Sequence, residues 1–536
     1  MQYDYIVIGS GSGGAAVAGR LSEDGRTTVC LLEAGGKDLH PFIHIPVLFP
    51  HLLTNPKTTW LRKSEPVPGL NGRPMFFPSG KVLGGSSSIN GMLYIRGQAQ
   101  DYDDWRDAGN NGWGWEDVLP YYKKMEDHAH GGNDAHGVGG PIAVTNTELS
   151  NESSNKFLES AVAAGIPRIH DLNTGDQFGI STVQGTIRKG RRSSTSVGYL
   201  KGAKKRANLK IQTRANVRRI ILNGTRASGV EFMDDSGILS TVHVGREIIL
   251  SASAVGSPQI LLQSGIGDGT QLRDVGVELT HHLPGVGKNL HDHLFIHLQT
   301  RLKAAYPTLN QMLSNKPRMG LELIRYGLTR RGAFGLTSTE ICGFLDSRES
   351  GLRPDIQINY RPFSFDYSSE GGFVFHPFPG GTASICFTRP KSRGEVRLLA
   401  KNGGTRLAIQ PNYLDRIEDA QGMLFGYKIL RKIVNTAPFS NRLECEHGAG
   451  ADAQTDDEII EHIRNHAATI YHPAGTCKMG NDEMAVVDDR LRVRGLSGLR
   501  VADASIMPVI TSGNTNAPSI MVGEKCADMI LSERNQ

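Results

Sequence analysis

None of the six cysteines (Cys30, Cys342, Cys386, Cys445, Cys477, Cys526) stands in a CxxC pair, which excludes a zinc ribbon and fits a reducing compartment better than a disulfide framework. Excess charge is also scarce. The 59 Lys and Arg exceed the 54 Asp and Glu by only five, too little to argue for a nucleic-acid partner. The compact basic run of Lys201, Lys204, Lys205 and Arg206 reads as a solvated helix end. No window approaches the ~18 uncharged apolar residues that a membrane span needs, and the most apolar stretch, residues 41–53, is broken by prolines and histidines. Peripheral contact with a membrane stays open. No charged region precedes the strand-like Tyr3-Asp4-Tyr5-Ile6-Val7-Ile8, so a signal peptide is not expected and the expected location is cytoplasmic.

What the chain has in excess is glycine: 64 of 536 residues, roughly 12% against an average near 7%. These glycines keep no three-residue period, which excludes collagen; backbone must instead approach something closely or turn sharply in many places. The first such place follows the opening strand. Gly9, Gly11 and Gly14 satisfy GxGxxG, and a small-residue helix pattern, residues 15–21, comes next. In that motif the first glycine makes the turn, the second lets backbone touch a pyrophosphate, and the third lets helix pack on strand. A second apolar strand, residues 28–32, ends in Glu33, an acid placed to accept hydrogen bonds from an adenosine ribose and to disfavour a 2′-phosphate. The motif alone serves NAD and FAD equally.

Residues 80–94 (GKVLGGSSSINGMLY) offer paired glycines and three hydroxyls, a loop whose N–H groups suit phosphate or an electron-rich ring edge. Taken with residues 253–267 (SAVGSPQILLQSGIG), 471–476 (YHPAGT) and 512–518 (SGNTNAP), this segment resembles the glucose-methanol-choline (GMC) oxidoreductases, whose signatures occur in the same order. The resemblance implies an α/β fold (α+β overall): a Rossmann-like FAD-binding domain from residues 1–150, 211–300 and 461–536, and a discontinuous antiparallel-sheet substrate domain from 151–210 and 301–460. It implies FAD with its ADP part on Gly9, Ser10, Gly11, Ser12, Gly13, Gly14 and Glu33. Adenine falls at Val217, and the flavin falls beside Val82, Gly84, Gly85, Asn90, Gly91, Met92 and Leu93. Asp503, Ala504, Asn514, Thr515 and Asn516 return to the cofactor. Some members attach FAD through a histidine where Ile89 stands here, so non-covalent FAD is expected.

Oxidising an alcohol requires a base for the hydroxyl proton while hydride leaves carbon for flavin N5, and imidazole can act near neutral pH. His472 is the candidate base, and Asn514 the amide that stabilises the forming alkoxide, with Asn516 able to share or replace its role. The remaining histidines, including His128, His130, His136, His297, His466 and the pair His291 and His293 in an HxDH run, read as structural. No metal site is expected.

Between the cofactor segments, residues 355–360, 384–387 and 394–398 read as strands of one antiparallel sheet. Met423, Tyr427, Leu430 and Val434 recur at helical spacing, predicting a helix over 417–434 that packs on it. Trp105, Trp113 and Trp115 read as core, with a cation-binding cage as the alternative, and residues 42–49 suit a lid over a hydrophobic entrance. Choline would want a carboxylate or an aromatic cage, yet residues 298–301 carry no acid. The expected reaction is therefore FAD-dependent oxidation of a primary or sugar-type alcohol, with a quinone, cytochrome or oxygen as acceptor. The alternatives are a choline dehydrogenase, an oxygen-using alcohol oxidase, or a non-redox lyase on the same scaffold.

Overall fold

The computed structural model describes residues 2–348, 353–367 and 373–534. Two sheets organise them. Tyr5, Ile6, Val7 and Ile8 are all buried, and such an unbroken apolar run belongs to a parallel sheet covered on both faces. Its strand, Gln2–Ile8, lies between Val29–Glu33 and Leu239–Leu250, both parallel to it. Leu209–Thr213 extends the parallel set on one side, and Arg226–Met233 and Asn216–Asn223 continue it antiparallel on the other. Leu499–Val501 adds alongside residues 248–250, so both ends of the chain enter one core.

Ile8 pairs with Leu32 and with Leu250, which brings the carboxyl ends of three parallel strands to one edge. That edge is where parallel α/β sheets bind ligands. The Ser12–Leu21 helix leaves from it and packs on the C-terminal helix Asn516–Arg534. Backbones meet there: a Cβ on Gly523 would fall 2.4 Å from the Gly13 carbonyl oxygen. The buried Glu524 carboxylate pairs with Arg20 at 2.8 Å across the same contact.

The second sheet runs Ile341–Leu345, Ile356–Arg361, Gly380–Phe387, Leu294–Leu302 and Leu443–His447, every pair antiparallel, with Ala468–Thr469 added beside the start of Leu294–Leu302. Alternation decides which side each residue serves. Ile356, Ile358 and Tyr360 enter the core shared with the Ile417–Val434 helix, while Gln357, Asn359 and Arg361 point the other way. The helix presents Met423, Tyr427, Leu430 and Val434, all buried. Gly422 lets it close on the sheet, since a Cβ there would lie 2.5 Å from the Phe387 ring. The Leu294–Leu302 strand passes through residue 300, where the sequence reading divides the two regions.

One strand expectation fails. Glu395–Lys401 is extended but pairs only with Gly404–Gln410, as a separate hairpin outside this sheet. Asn402-Gly403 is the local reason, because Asn-Gly between two alternating runs folds a strand back on its neighbour. The tryptophans also resolve. Trp105, Trp113 and Trp115 are buried core residues, and the indole N–H groups of Trp105 and Trp113 bond the carbonyls of Val509 and Asp489. None of the three stands on the wall of the cavity described below, and Lys525 Nζ lies over the Trp113 ring, 5.3 Å from its centroid.

Candidate active site

A cavity of about 740 Å³ opens at the carboxyl edge of the parallel sheet and runs under the second sheet, toward the upper end of the ~300–1,000 Å³ typical of ligand pockets. Its wall includes Gly9, Gly11, Ser12, Gly13, Glu33, Gly85, Asn90, Gly91, Met92, Leu93, Val217, Asp503, Ala504, His472, Asn514, Thr515 and Asn516. Residues far apart in sequence are therefore brought to one surface. Ser10, Gly14, Val82 and Gly84 stand behind it. Ser10 donates to Glu33 Oε2 through both its N–H and its hydroxyl, Gly84 N–H donates to the Ser10 carbonyl, and Val82 packs on Ile89. Phe49 and Leu53 from the apolar 41–53 segment, together with Trp60, close the wall on another side.

The glycine motif has the shape a dinucleotide needs. A Cβ on Gly9 would sit 2.4 Å from the Ser251 oxygen, and one on Gly14 2.0 Å from the Gly9 oxygen, whereas one on Gly11 would meet nothing within 4 Å. Gly11 alone of the three thus faces open cavity, at the amino end of the Ser12–Leu21 helix, where unpaired N–H groups and the helix dipole favour an anion. Ser12 donates to Asn516 Oδ1 at 2.7 Å, which fixes the start of the last helix against the start of the first. Glu33 is buried and held by Ser10 and the Gly35 N–H; burial pushes its carboxyl up and those bonds pull it back down. A pyrophosphate at Gly11 and a ribose at Glu33 fit this donor and acceptor set.

At the other end, His472 Nε2 lies 3.1 Å from Asn514 Nδ2. The protonation of this pair follows from its neighbours. His293 Nε2 lies 3.1 Å from the Thr388 carbonyl, which can only accept, so His293 carries its proton on Nε2 and its Nδ1 is a bare acceptor. His472 Nδ1, 3.0 Å from that atom, must then be the donor. Asn514 Oδ1 accepts from Gln357 Nε2 at 3.2 Å, which turns the Asn514 amide nitrogen toward His472. One direction therefore runs through the whole chain, and the His472 Nε2 lone pair accepts the Asn514 N–H at the cavity wall. Burial and the neighbouring His293 hold His472 well below the usual imidazole range, and burial takes His293 down to about 4; both are neutral bases at pH 7.

Asp292 anchors the pair. Its Oδ1 accepts the backbone N–H groups of His293 and His472, and its Oδ2 accepts the hydroxyls of Tyr413 and Thr469. Burial raises this carboxyl while those bonds oppose the rise; with four donors converging on two oxygens, the ionised acceptor form satisfies every one of them. Of the two HxDH histidines, both expected to be structural, His291 bonds the Asn289 carbonyl and His293 touches the candidate base His472. The signal was an acid between two histidines on an extended segment, which turns Asp292 to one side and both rings to the other. Arg192 is a second residue that went unread: buried, it donates to Asn90 Oδ1 at 2.7 Å and to the Ser87 and Ile43 carbonyls, tying the flavin-type loop to the 41–53 segment. Among the described residues no group of three His, Cys, Asp or Glu side chains is arranged to hold a metal ion.

Neutral buried imidazoles have a consequence for stability. Burial takes His291 to about 3 and His293 to about 4, both below the unfolded value of ~6.5, so the unfolded chain takes up protons first as pH falls. Their contribution is complete above pH ~6.5 and is lost on acidification toward pH 4, at about 3 kcal/mol for His293 alone. Thermal unfolding midpoints of the protein should fall steadily from pH 6.5 to 4.5. A level midpoint across that interval would mean that these rings titrate freely.

Family models described as GMC oxidoreductase match residues 3–295 and 390–523. The chain is 43% identical over 539 residues to an oxygen-dependent choline dehydrogenase of Cronobacter sakazakii, covering 99% of this chain and 95% of that protein. It is equally similar to the enzyme of that name in Escherichia coli K12, over 542 residues covering 99% and 96%. Among solved structures, pyridoxine 4-oxidase from Mesorbium loti superposes with a TM-score of 0.87 at 30% identity, over 99% of both chains. Formate oxidase superposes with a TM-score of 0.92 at 26% identity, over 100% of this chain and 99% of that one.

Proposed function

Because the chain belongs to the GMC oxidoreductase family, and is thus an FAD-dependent oxidoreductase, we propose that it oxidises a primary alcohol to the aldehyde at the His472–Asn514 pair. The observation that carries this reading is the one-way hydrogen-bond chain, in which a neutral His472 accepts through Nε2 from Asn514 Nδ2 at the cavity wall. A substrate hydroxyl entering between the two side chains gives its proton to His472 Nε2 and receives the Asn514 N–H on its oxygen. FAD, when bound, supplies the acceptor for the hydride that leaves carbon. Asn514 then stabilises the oxygen as charge develops, an effect of ~3 kcal/mol for a well-placed donor. His293 acts as a positioning residue, because it holds the His472 proton on Nδ1.

The cofactor is held without a covalent bond in this reading, since Ile89 at the cavity wall offers no nucleophile. Oxygen is the proposed electron acceptor, in line with the name of the choline dehydrogenase relatives. All six cysteines are free thiols and five of them are buried, in keeping with a cytoplasmic location.

The relatives also favour a second reading, choline itself. Against it stands the chemistry of the wall. Among the described residues its carboxylates are Glu33 and Asp503, both tied into the cofactor end by serine and backbone donors. The wall below the second sheet presents aromatic faces at Phe295, Phe373 and Tyr471, but beside them stands Arg361, whose positive charge opposes a quaternary ammonium. Anaerobic mixing decides: short neutral primary alcohols should bleach the visible flavin band at lower concentration than choline does. Bleaching by choline alone would select the second reading, and no bleaching by any alcohol would reject both.

A further inference from the structure

The Lys316–Thr329 helix is almost detached from the fold, with Tyr326 its only buried residue. Pro317, Leu321, Ile324 and Leu328 follow one another at steps of four, three and four, so they form one stripe along a single face. That stripe is unpartnered: Leu321 is 69% exposed, Ile324 62% and Leu328 83%. Cations surround it. Lys316, Arg318, Arg325, Arg330 and Arg331 are exposed on or beside the helix, and the single acid, Glu322, turns inward to accept the Ala333 N–H and pair with Arg325. Behind the helix, on the face opposite the stripe, the Tyr326 hydroxyl donates to the Gly190 carbonyl and holds the helix to the fold.

We propose that this helix is a peripheral membrane-docking element that lies in the surface of an anionic bilayer. An exposed apolar stripe flanked by Lys and Arg is the pattern of an interfacial helix, in which apolar burial and attraction to acidic headgroups act together. The charge pattern argues against a second copy of the chain as the occupant, since a two-fold contact along this face would bring arginines against arginines. Spanning is excluded by length: 14 residues give about 21 Å, short of the ~30 Å hydrocarbon core. Docking would also place the cavity near the bilayer. The turn Ala333–Gly335 after the helix touches Pro46–Leu48, and the adjoining Phe49 and Leu53 line the cavity.

The test is co-sedimentation of the FAD-loaded protein with vesicles of phosphatidylcholine alone or mixed with phosphatidylglycerol. The protein should sediment with the mixed vesicles, less so as salt rises, and stay in solution with phosphatidylcholine alone. The triple variant Leu321→Gln, Ile324→Gln, Leu328→Gln should lose at least about tenfold in bound fraction, with unchanged dye-linked alcohol oxidation in solution. Failure of the unaltered protein to bind mixed vesicles would overturn the proposal, as would a triple variant that binds like it. Sedimentation velocity without lipid separates the remaining outcome: a dimer converted to monomer by the triple variant would identify the stripe as a contact between copies, and would also overturn it.

Discussion

His472→Ala should retain FAD and lose alcohol-dependent flavin reduction by about 10²- to 10⁴-fold, the usual contribution of a positioned general base. The two halves of that expectation have separate causes. Among the described residues the His472 side chain bonds only Asn514 and His293, neither of them at the Gly11 and Glu33 end, so its removal leaves the dinucleotide contacts alone. The hydroxyl proton, however, loses its acceptor. Asn514 can still donate to the oxygen but cannot take a proton, and no other unprotonated nitrogen replaces it: His293 lies behind, with its Nδ1 aimed at the vacated ring position. Small imidazole added to the solution should recover part of the rate by entering the space left by the ring, whereas a merely structural loss would not be recovered. Rapid-mixing reduction kinetics with a fixed alcohol give the measurement, and flavin content after gel filtration gives the control. Reduction as fast as in the unaltered enzyme would remove His472 from the base role.

How far the sequence carries this picture depends on the range of the interaction in question. The Gln2–Ile8 strand, the glycine turn, the small-residue helix and Glu33 follow from local pattern, because a buried parallel strand and a close backbone approach each restrict residue type directly. The stripe of Met423, Tyr427, Leu430 and Val434 is legible for the same reason. His472 and Asn514 are found through neighbouring motif residues, not through any spacing that would announce their contact. The strand at 395–401 was readable as a strand but not as to its partner, since pairing is decided by the competition between a local turn and a distant sheet edge. His293 escaped altogether. Its role exists only because Thr388, 95 residues away, presents a carbonyl that fixes which nitrogen bears the proton, and no local pattern encodes that.

The largest effect on cofactor retention should come from Gly11→Ala, and the contrast with Gly14→Ala makes it informative. At Gly14 the new methyl would meet the Gly9 carbonyl at 2.0 Å; backbone would have to move, the Ser12–Leu21 helix would lift from the Gln2–Ile8 strand, and the protein itself should be destabilised. At Gly11 the methyl meets no protein atom within 4 Å, so the fold has no reason to change. It occupies instead the space over the helix amino end, where the second glycine of the motif admits a pyrophosphate. Forcing a methyl into such a contact costs roughly 1–3 kcal/mol, which is about five- to 150-fold in FAD affinity. Gly11→Ala should therefore purify with little flavin, bind added FAD weakly, and yet unfold at the temperature of the FAD-free unaltered protein. Gly14→Ala should unfold well below that temperature whether or not FAD is supplied. If Gly11→Ala retained FAD at full occupancy, the pyrophosphate would have to lie elsewhere along the cavity, and the assignment of the motif to the cofactor would fall with it.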